Sequence, residues 1–337
     1  MANLRANSIV GVGSTDAGVV FDGVTKVKTQ NYFYLQTGNT ESRSRGRGIF
    51  GGGRTPTVQN NIDYISIQSQ GIANDFGDLT SARFILASCS STTRGVFGGG
   101  GPSPASFENT IDYITIATTS NALDFGDLTQ SRGFLSSCSS TTRGLFAGGF
   151  APTATNTIDF ITISSIGNAQ DFGDLTEISS YGAGCSSSTR GIFALGQGSP
   201  ADVNAINYVT IASIGNAQDF GDLTQARSQL ASCSSSVRGV FGGGYVSPNA
   251  VNIIDYITIA STGNAQDFGD LPSTRRAFYA CSNSLRGVFG GGVTPTTVNT
   301  IEYVTIASTG NALDFGDLVI AIFNNAACSD SHGGIEG

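Results

Sequence analysis

One tripeptide, Gly-Asp-Leu, recurs at Gly77, Gly126, Gly173, Gly221, Gly269 and Gly316, at intervals of 49, 47, 48, 48 and 47 residues. A fixed period in this range points to stacked supersecondary units, with the blades of a propeller as the leading case. A single cysteine follows each copy in register: Cys89, Cys138, Cys185, Cys233, Cys281 and Cys328.

The copy over residues 238–284 reads RGVFGGGYVSPNAVNIIDYITIASTGNAQDFGDLPSTRRAFYACSNS. RGVFGGG is a short β-prone run ending in glycines. IIDYITIA is the strongest strand signal, rich in Ile and Tyr. STGN is a turn, AQDFGDL a third strand and RRAFYACS a fourth. Four short strands separated by turn chemistry fit one blade. In TIDYITIA, Ile111 and Tyr113 point to one face, and Ile114 and Ile116 to the other. A strand that is apolar on both faces is packed on both sides, as a blade is by its neighbours. Glycine triplets at 51–53, 98–100, 242–244 and 290–292 suit close backbone approach or positive φ. One copy carries Ala194-Leu195-Gly196 instead, which predicts a local adjustment.

Let strand A carry the cysteine, B the RGxFGGG run, C the IDYITIA run and D the DFGDL run. Strands B, C and D each occur six times from Arg47 onward. The first strand A, residues 84–89, already follows the first D, and the sixth is residues 320–328. The first blade therefore lacks its innermost strand, and the chain's last strand can supply it. Closing the circle this way removes exposed sheet edges. The prediction is an all-β, six-bladed propeller over residues 46–337, preceded by a separate segment at 1–45. An open β-helical stack is the alternative.

Charged residues make up 12%, the net charge is −8 and the pI about 4.6. An acidic surface argues against a nucleic-acid partner, since phosphate binding needs clustered Lys and Arg. No apolar run approaches the length of a membrane span, and no strong signal-peptide block opens the chain. Folding in a cytoplasm is the expectation. One cysteine per repeat at one position reads as a small buried residue multiplied by duplication. Pairing between blades or a metal site remains open, although no Cys-x-x-Cys or Cys/His cluster occurs.

DFGD supplies two carboxylates per copy, as at Asp124 and Asp127. Acid/base chemistry or calcium could use such a pair, but six near-identical copies speak against catalysis. Strand B opens with Arg47, Arg94, Arg143, Arg190, Arg238 and Arg286. These are expected to pair with the DFGD or IDY carboxylates. The run at 98–101 is followed by neither Lys-Ser/Thr nor a helical pattern, so it is no phosphate cradle. The only histidine, His332, lies in the polar tail SHGG, where exposure is the default. No catalytic, cofactor or metal residue is assigned.

In an antiparallel blade the A–B and C–D turns share one face, and the B–C and D–A connections the other. The A–B and C–D turns repeat closely (CSSTTRG, STGNAQ), whereas the B–C loops differ in length and content. Drifted surface loops would look the same. As a recognition face on a rigid scaffold, the varied loops offer Arg54, Phe107, Phe150, Asp202, Tyr245 and Thr294 as contact candidates. Residues 1–45 lack the repeat and hold two or three short strand patterns, too few for their own core. The cluster Tyr32, Phe33, Tyr34 and Leu35 is the candidate for attachment to a particle or to sister subunits.

The repeat resembles the kelch motif: Arg94, then Gly98-Gly99, Asn109, Tyr113, and Phe125 with Leu128. It departs where that family usually has Trp, with Phe76, Phe125, Phe172, Phe220, Phe268 and Phe315 standing there. The phrasing RGVFGGG…NTIDYITIASTGNAQDFGDLT further resembles repeat proteins of tailed phages of marine cyanobacteria. That resemblance implies a non-enzymatic virion structural protein, multimeric in the particle. It would be held by other virion proteins and display its loop face on tail, neck or head. A host-attachment adhesin for surface glycans, or an intracellular protein-interaction scaffold, are the alternatives. The copper-containing propeller enzymes depend on histidines this chain lacks.

Overall fold

A computed structural model describes residues 46–198 and 201–335, and six antiparallel four-stranded sheets account for the six copies. Blade 2 shows the plan: Ala87–Ser90, Arg94–Gly98, Thr110–Thr115 and Leu123–Asp127, paired in chain order. Blades 3 to 6 repeat it, with innermost strands Ser136–Ser139, Ala183–Ser186, Ala231–Ser234 and Tyr279–Ser282. Blade 1 is built from both parts of the chain: Ala326–Ser329, then Arg47–Gly51, Asn61–Ser66 and Asn74–Asp78. Gly48, Ile49, Phe50 and Gly51 face Ser329, Cys328, Ala327 and Ala326 across the closing ladder. The innermost strands touch one another in an unbroken cycle. The protein is thus a six-bladed β-propeller closed by its last strand. That strand starts at residue 326 rather than 320, because Asn324 turns through a left-handed conformation just before it. The copy with Ala194-Leu195-Gly196 keeps its blade, Arg190–Ala194 pairing with Ala205–Thr210. Among the described residues no helix is long and apolar enough to cross a membrane.

The two-faced strand C is what makes a stack of blades into a ring. Ile111 packs into the core between blades 2 and 3, with Val96, Phe125 and Phe146. Ile114 and Ile116 enter the core between blades 1 and 2, with Ile49, Phe76 and Phe97. Each of the six interfaces has one such cluster. Two interlocks fix their spacing. The glycine after each strand-B arginine receives the preceding blade's cysteine: a Cβ at Gly191 would stand 2.6 Å from Cys138 Sγ, and one at Gly48 2.6 Å from Cys281 Sγ. In the other direction, a Cβ at Gly98 would stand 2.8 Å from the Phe146 ring. The cysteines are therefore packing knobs. All six are free and buried, and burial pushes Cys185 and Cys328 up to about 12, so the unreactive thiol form persists.

The DFGD glycines serve the same close packing. Gly77 has φ 147°, and a Cβ on it would meet the Ser120 carbonyl oxygen at 2.5 Å. That approach lets the next blade's turn cover the outer strand. The Ala122 amide donates to the Asp78 carbonyl (2.8 Å), and Asn121 Oδ1 accepts from the Asp78 amide (3.1 Å).

The strand-B arginines do link blades, but not through carboxylates. Arg94 lies over Tyr113 at 4.8 Å and donates to the Ile163 carbonyl of the next blade at 2.9 Å. Arg47, Arg143, Arg190, Arg238 and Arg286 repeat both contacts. The expected ion pairs fail because these guanidiniums lie on the ring-bearing face of strand C, whereas its carboxylates are buried on the other. Those carboxylates pair with a different set: Arg83–Asp112 (2.7 Å), Arg132–Asp159 (2.9 Å), Arg227–Asp255 (2.8 Å) and Arg275–Glu302. Each of these arginines ends the connection into its blade and clamps it to strand C.

Candidate functional site

The connections between blades share an unusual backbone. Ile85, Phe134, Tyr181, Gln229, Ala277 and Asn324 all have φ between 52° and 59°. Branched and aromatic residues rarely adopt this region, and such outliers persist only where surrounding structure fixes them. Here a circle of backbone hydrogen bonds does so. Each of the six amides donates to the carbonyl of the residue before it in the circle: Ile85 to Asn324 (2.8 Å), Phe134 to Ile85 (2.8 Å), Tyr181 to Phe134 (3.1 Å), Gln229 to Tyr181 (2.8 Å), Ala277 to Gln229 (3.0 Å) and Asn324 to Ala277 (2.8 Å). The circle rims the axis on the varied-loop face. Bridges such as Gly133–Phe150, Ser228–Tyr245 and Arg54–Phe323 tie the B–C loops to it.

The backbone of this mouth is six-fold, but its side chains are not. Three consecutive positions, Ile85, Phe134 and Tyr181, are apolar. The Phe134 and Tyr181 rings are stacked with centroids 3.9 Å apart and planes 30° apart. Phe107 extends the arc, 6.4 Å from Phe134 and 5.9 Å from Phe150. The opposite half carries Gln229 and Asn324, with Arg276 and Arg54 beside the rim. Arg276 lies over Tyr245 at 4.6 Å, and Arg54 over Phe84 at 5.5 Å.

The loop residues singled out from sequence divide accordingly. Arg54, Phe107, Phe150 and Tyr245 converge on the mouth, half-buried against its rim and one another rather than fully exposed. Asp202 lies on the blade-4 loop beside Gln197; burial raises its carboxyl, and a hydrogen bond from Ser228 opposes that shift. Thr294 pairs with Thr296 in a small hairpin above blade 6. Tyr32, Phe33, Tyr34 and Leu35 lie outside the described residues. Sequence reading missed Phe134, Tyr181, Gln229, Asn324 and Arg276. The signal available was variation: the two residues after each T-x-x-R position change from copy to copy while their neighbours repeat.

Below the mouth the axis is nearly filled. Cavities of about 40 and 50 Å³ remain, lined by inner-strand serines, alanines and cysteines. Such volumes suit a few waters. Among the described residues, no group of three or more His, Cys, Asp or Glu side chains is arranged to hold a metal ion.

The opposite end is sealed by a second circle. The serine after each cysteine donates its hydroxyl to the preceding blade's serine carbonyl, from Ser139 to Ser90 (2.8 Å) around to Ser90 and Ser329 (2.7 Å). Residues 330–335 lie across this circle. Asp330 Oδ1 accepts from the Gly46 and Arg47 amides at 2.6 and 3.0 Å, the Gly333 amide donates to Ser234, and Ile335 is buried. His332 is not exposed in a free tail. Its Nδ1 accepts from the Gly334 amide, so the neutral ring carries its proton on Nε2, which faces Ser139 Oγ at 3.1 Å. Loss of solvation brings its pKa down to about 4, against the opposing Ser90 carbonyl.

The lowered pKa makes docking of the tail pH-dependent. Between pH 6.5 and about 4 the unfolded chain holds a proton on His332 that the docked tail does not. The contribution is intact above pH 6.5 and is lost progressively as pH falls towards 4. The protection factor of the Gly333 amide is expected to fall over that window, and a His332→Gln variant to show a flatter profile. Equal pH profiles in both chains would refute the docked neutral imidazole.

A scan against protein-family models finds no match for this chain, and a search of curated proteins finds none either.

Proposed function

We propose that this propeller is a non-enzymatic display protein of a phage particle, kelch-like in its repeat, held through residues 1–45 and presenting its loop face outward to a host surface or partner protein. The observation that carries the reading is the polarity of the disc. Asp330 fixes the ring's entry, Gly46 and Arg47, beside the serine circle. The chain therefore enters on the uniform face, opposite the varied loops and the asymmetric mouth. A partner that holds the ring at Gly46 approaches it from the face away from the mouth. The resemblance of the repeat phrasing to phage proteins supplies the setting.

The test is removal of residues 1–45. The expected result is a ring with unchanged near-ultraviolet circular dichroism and melting temperature that no longer co-purifies with particles. Retention of the shortened chain on particles would defeat the reading.

A further inference from the structure

We infer that the mouth is a binding site for an acidic glycan, a run of pyranose rings that carry carboxylates. The inference rests on the display reading and names what the displayed face recognises.

Consider first the cationic half. Arg276 precedes Ala277 in the backbone circle, and Arg54 is bridged to Phe323, which precedes Asn324. Ala277 and Asn324 are bonded neighbours in that circle; Arg276 leans over Tyr245 at the seam of blades 5 and 6 and Arg54 over Phe84 at the seam of blades 1 and 2, so the two guanidiniums stand on either side of that pair of positions, each able to meet its own carboxylate. Each is half-buried and held over an aromatic ring, Tyr245 or Phe84. Neither guanidinium donates a hydrogen bond or forms an ion pair among the described residues, in a chain whose other described arginines all do one or the other. A stacked guanidinium with its donors unused is positioned for a carboxylate, which its planar fork matches.

The other half selects the body of the ligand. One outer ring face of the stacked Phe134–Tyr181 pair is a flat apolar plate against which the C–H face of a pyranose can lie. The Tyr181 hydroxyl and the Gln229 and Asn324 side-chain amides are half-buried and make no hydrogen bond among the described residues, so they can meet sugar hydroxyls. An extended acidic peptide would leave the plate uncovered, and a neutral sugar would leave both guanidiniums unanswered. Because the circle's backbone bonds fix these side chains in place, the site is formed before the ligand arrives.

The experiment is calorimetric titration of the full chain with oligogalacturonate, with its methyl ester, and with a glutamate-rich peptide. The acid oligosaccharide is expected to bind at one site per chain, with the ester weaker by at least about tenfold. Arg276→Gln and Arg54→Gln are each expected to weaken binding by a similar factor, while Leu285→Ser on the opposite face changes nothing. The esterified ligand tests the charge requirement without any variant, so a misfolded mutant cannot rescue the proposal. Binding of acid and ester alike, indifference to both arginines, or no binding at about 10 mM, where even weak sugar sites are occupied, each overturns it. Tighter binding of the peptide also overturns it, yet leaves display standing; failure of attachment through residues 1–45 sinks display whatever the titration shows.

Discussion

Arg132→Met is expected to lower the unfolding free energy by about 3–5 kcal/mol, because it strands a buried charge. Arg132 and Asp159 are both fully buried, 2.9 Å apart. The arginine also donates to the carbonyls of Phe146, Gly148 and Thr157. Burial draws its own pKa down, and Asp159 opposes that. Without it, Asp159 retains only the Thr129 amide and hydroxyl. The chain contains its own control. In blade 4 both charges are absent together: Ser179 stands at the arginine position and Asn207 at the aspartate position. There the Thr176 amide and hydroxyl both donate to Asn207 Oδ1, at 2.9 and 2.8 Å. A double variant, Arg132→Ser with Asp159→Asn, reproduces that arrangement. It should regain more than half of the loss, since replacing both members of a buried pair is far milder than removing one. Urea denaturation of the three proteins decides the point; a double variant no better than Arg132→Met would mean that the clamp's value lies in the arginine's carbonyl contacts.

That pairing shows where sequence reading stops. The two-faced apolar pattern of Ile111, Ile114 and Ile116, and the displaced first strand A, were enough to fix blade number and closure, since both are consequences of period and count. Which arginine meets which carboxylate was not, because Arg94 and Arg132 are both near an IDY or IDF run in sequence and only the twist of the blade separates them. Aligning the copies against one another holds a usable clue, the joint loss at Ser179 and Asn207. The left-handed Ile85, Phe134 and Tyr181 had no such clue: nothing local favours positive φ in these residues, and the circle of amides that imposes it exists only after closure. His332 misled for the same reason. A polar tail looks solvated until the ring places an axis beneath it.

Closure also sets the largest expected effect. A chain ending at residue 325 should no longer be a monomeric ring. It loses the ladder from Ala326 to Ser329, the knobs Cys328 and Ser329, and the Asp330 hold on Gly46 and Arg47. Arg47–Gly51 then becomes an unpaired inner edge, the kind of edge that recruits other chains. The seam is already the ring's least satisfied place. Ile322 stands where four of the other five blades carry a clamping arginine, so among the described residues the buried Asp63 has only Asn61 and the Val319 amide, and desolvation raises its carboxyl. Neither polar atom of the buried Asn325 side chain has a partner among the described residues. Because the six inner strands are nearly alike, an open edge accepts a neighbouring molecule's strand as readily as its own. The expected outcome is concentration-dependent association by light scattering, with fast amide exchange at Ile49, both reversed by a peptide spanning residues 326–337. A shortened chain that stays monomeric, with Ile49 as protected as before, would mean that the interlocks between blades hold the circle without its last strand.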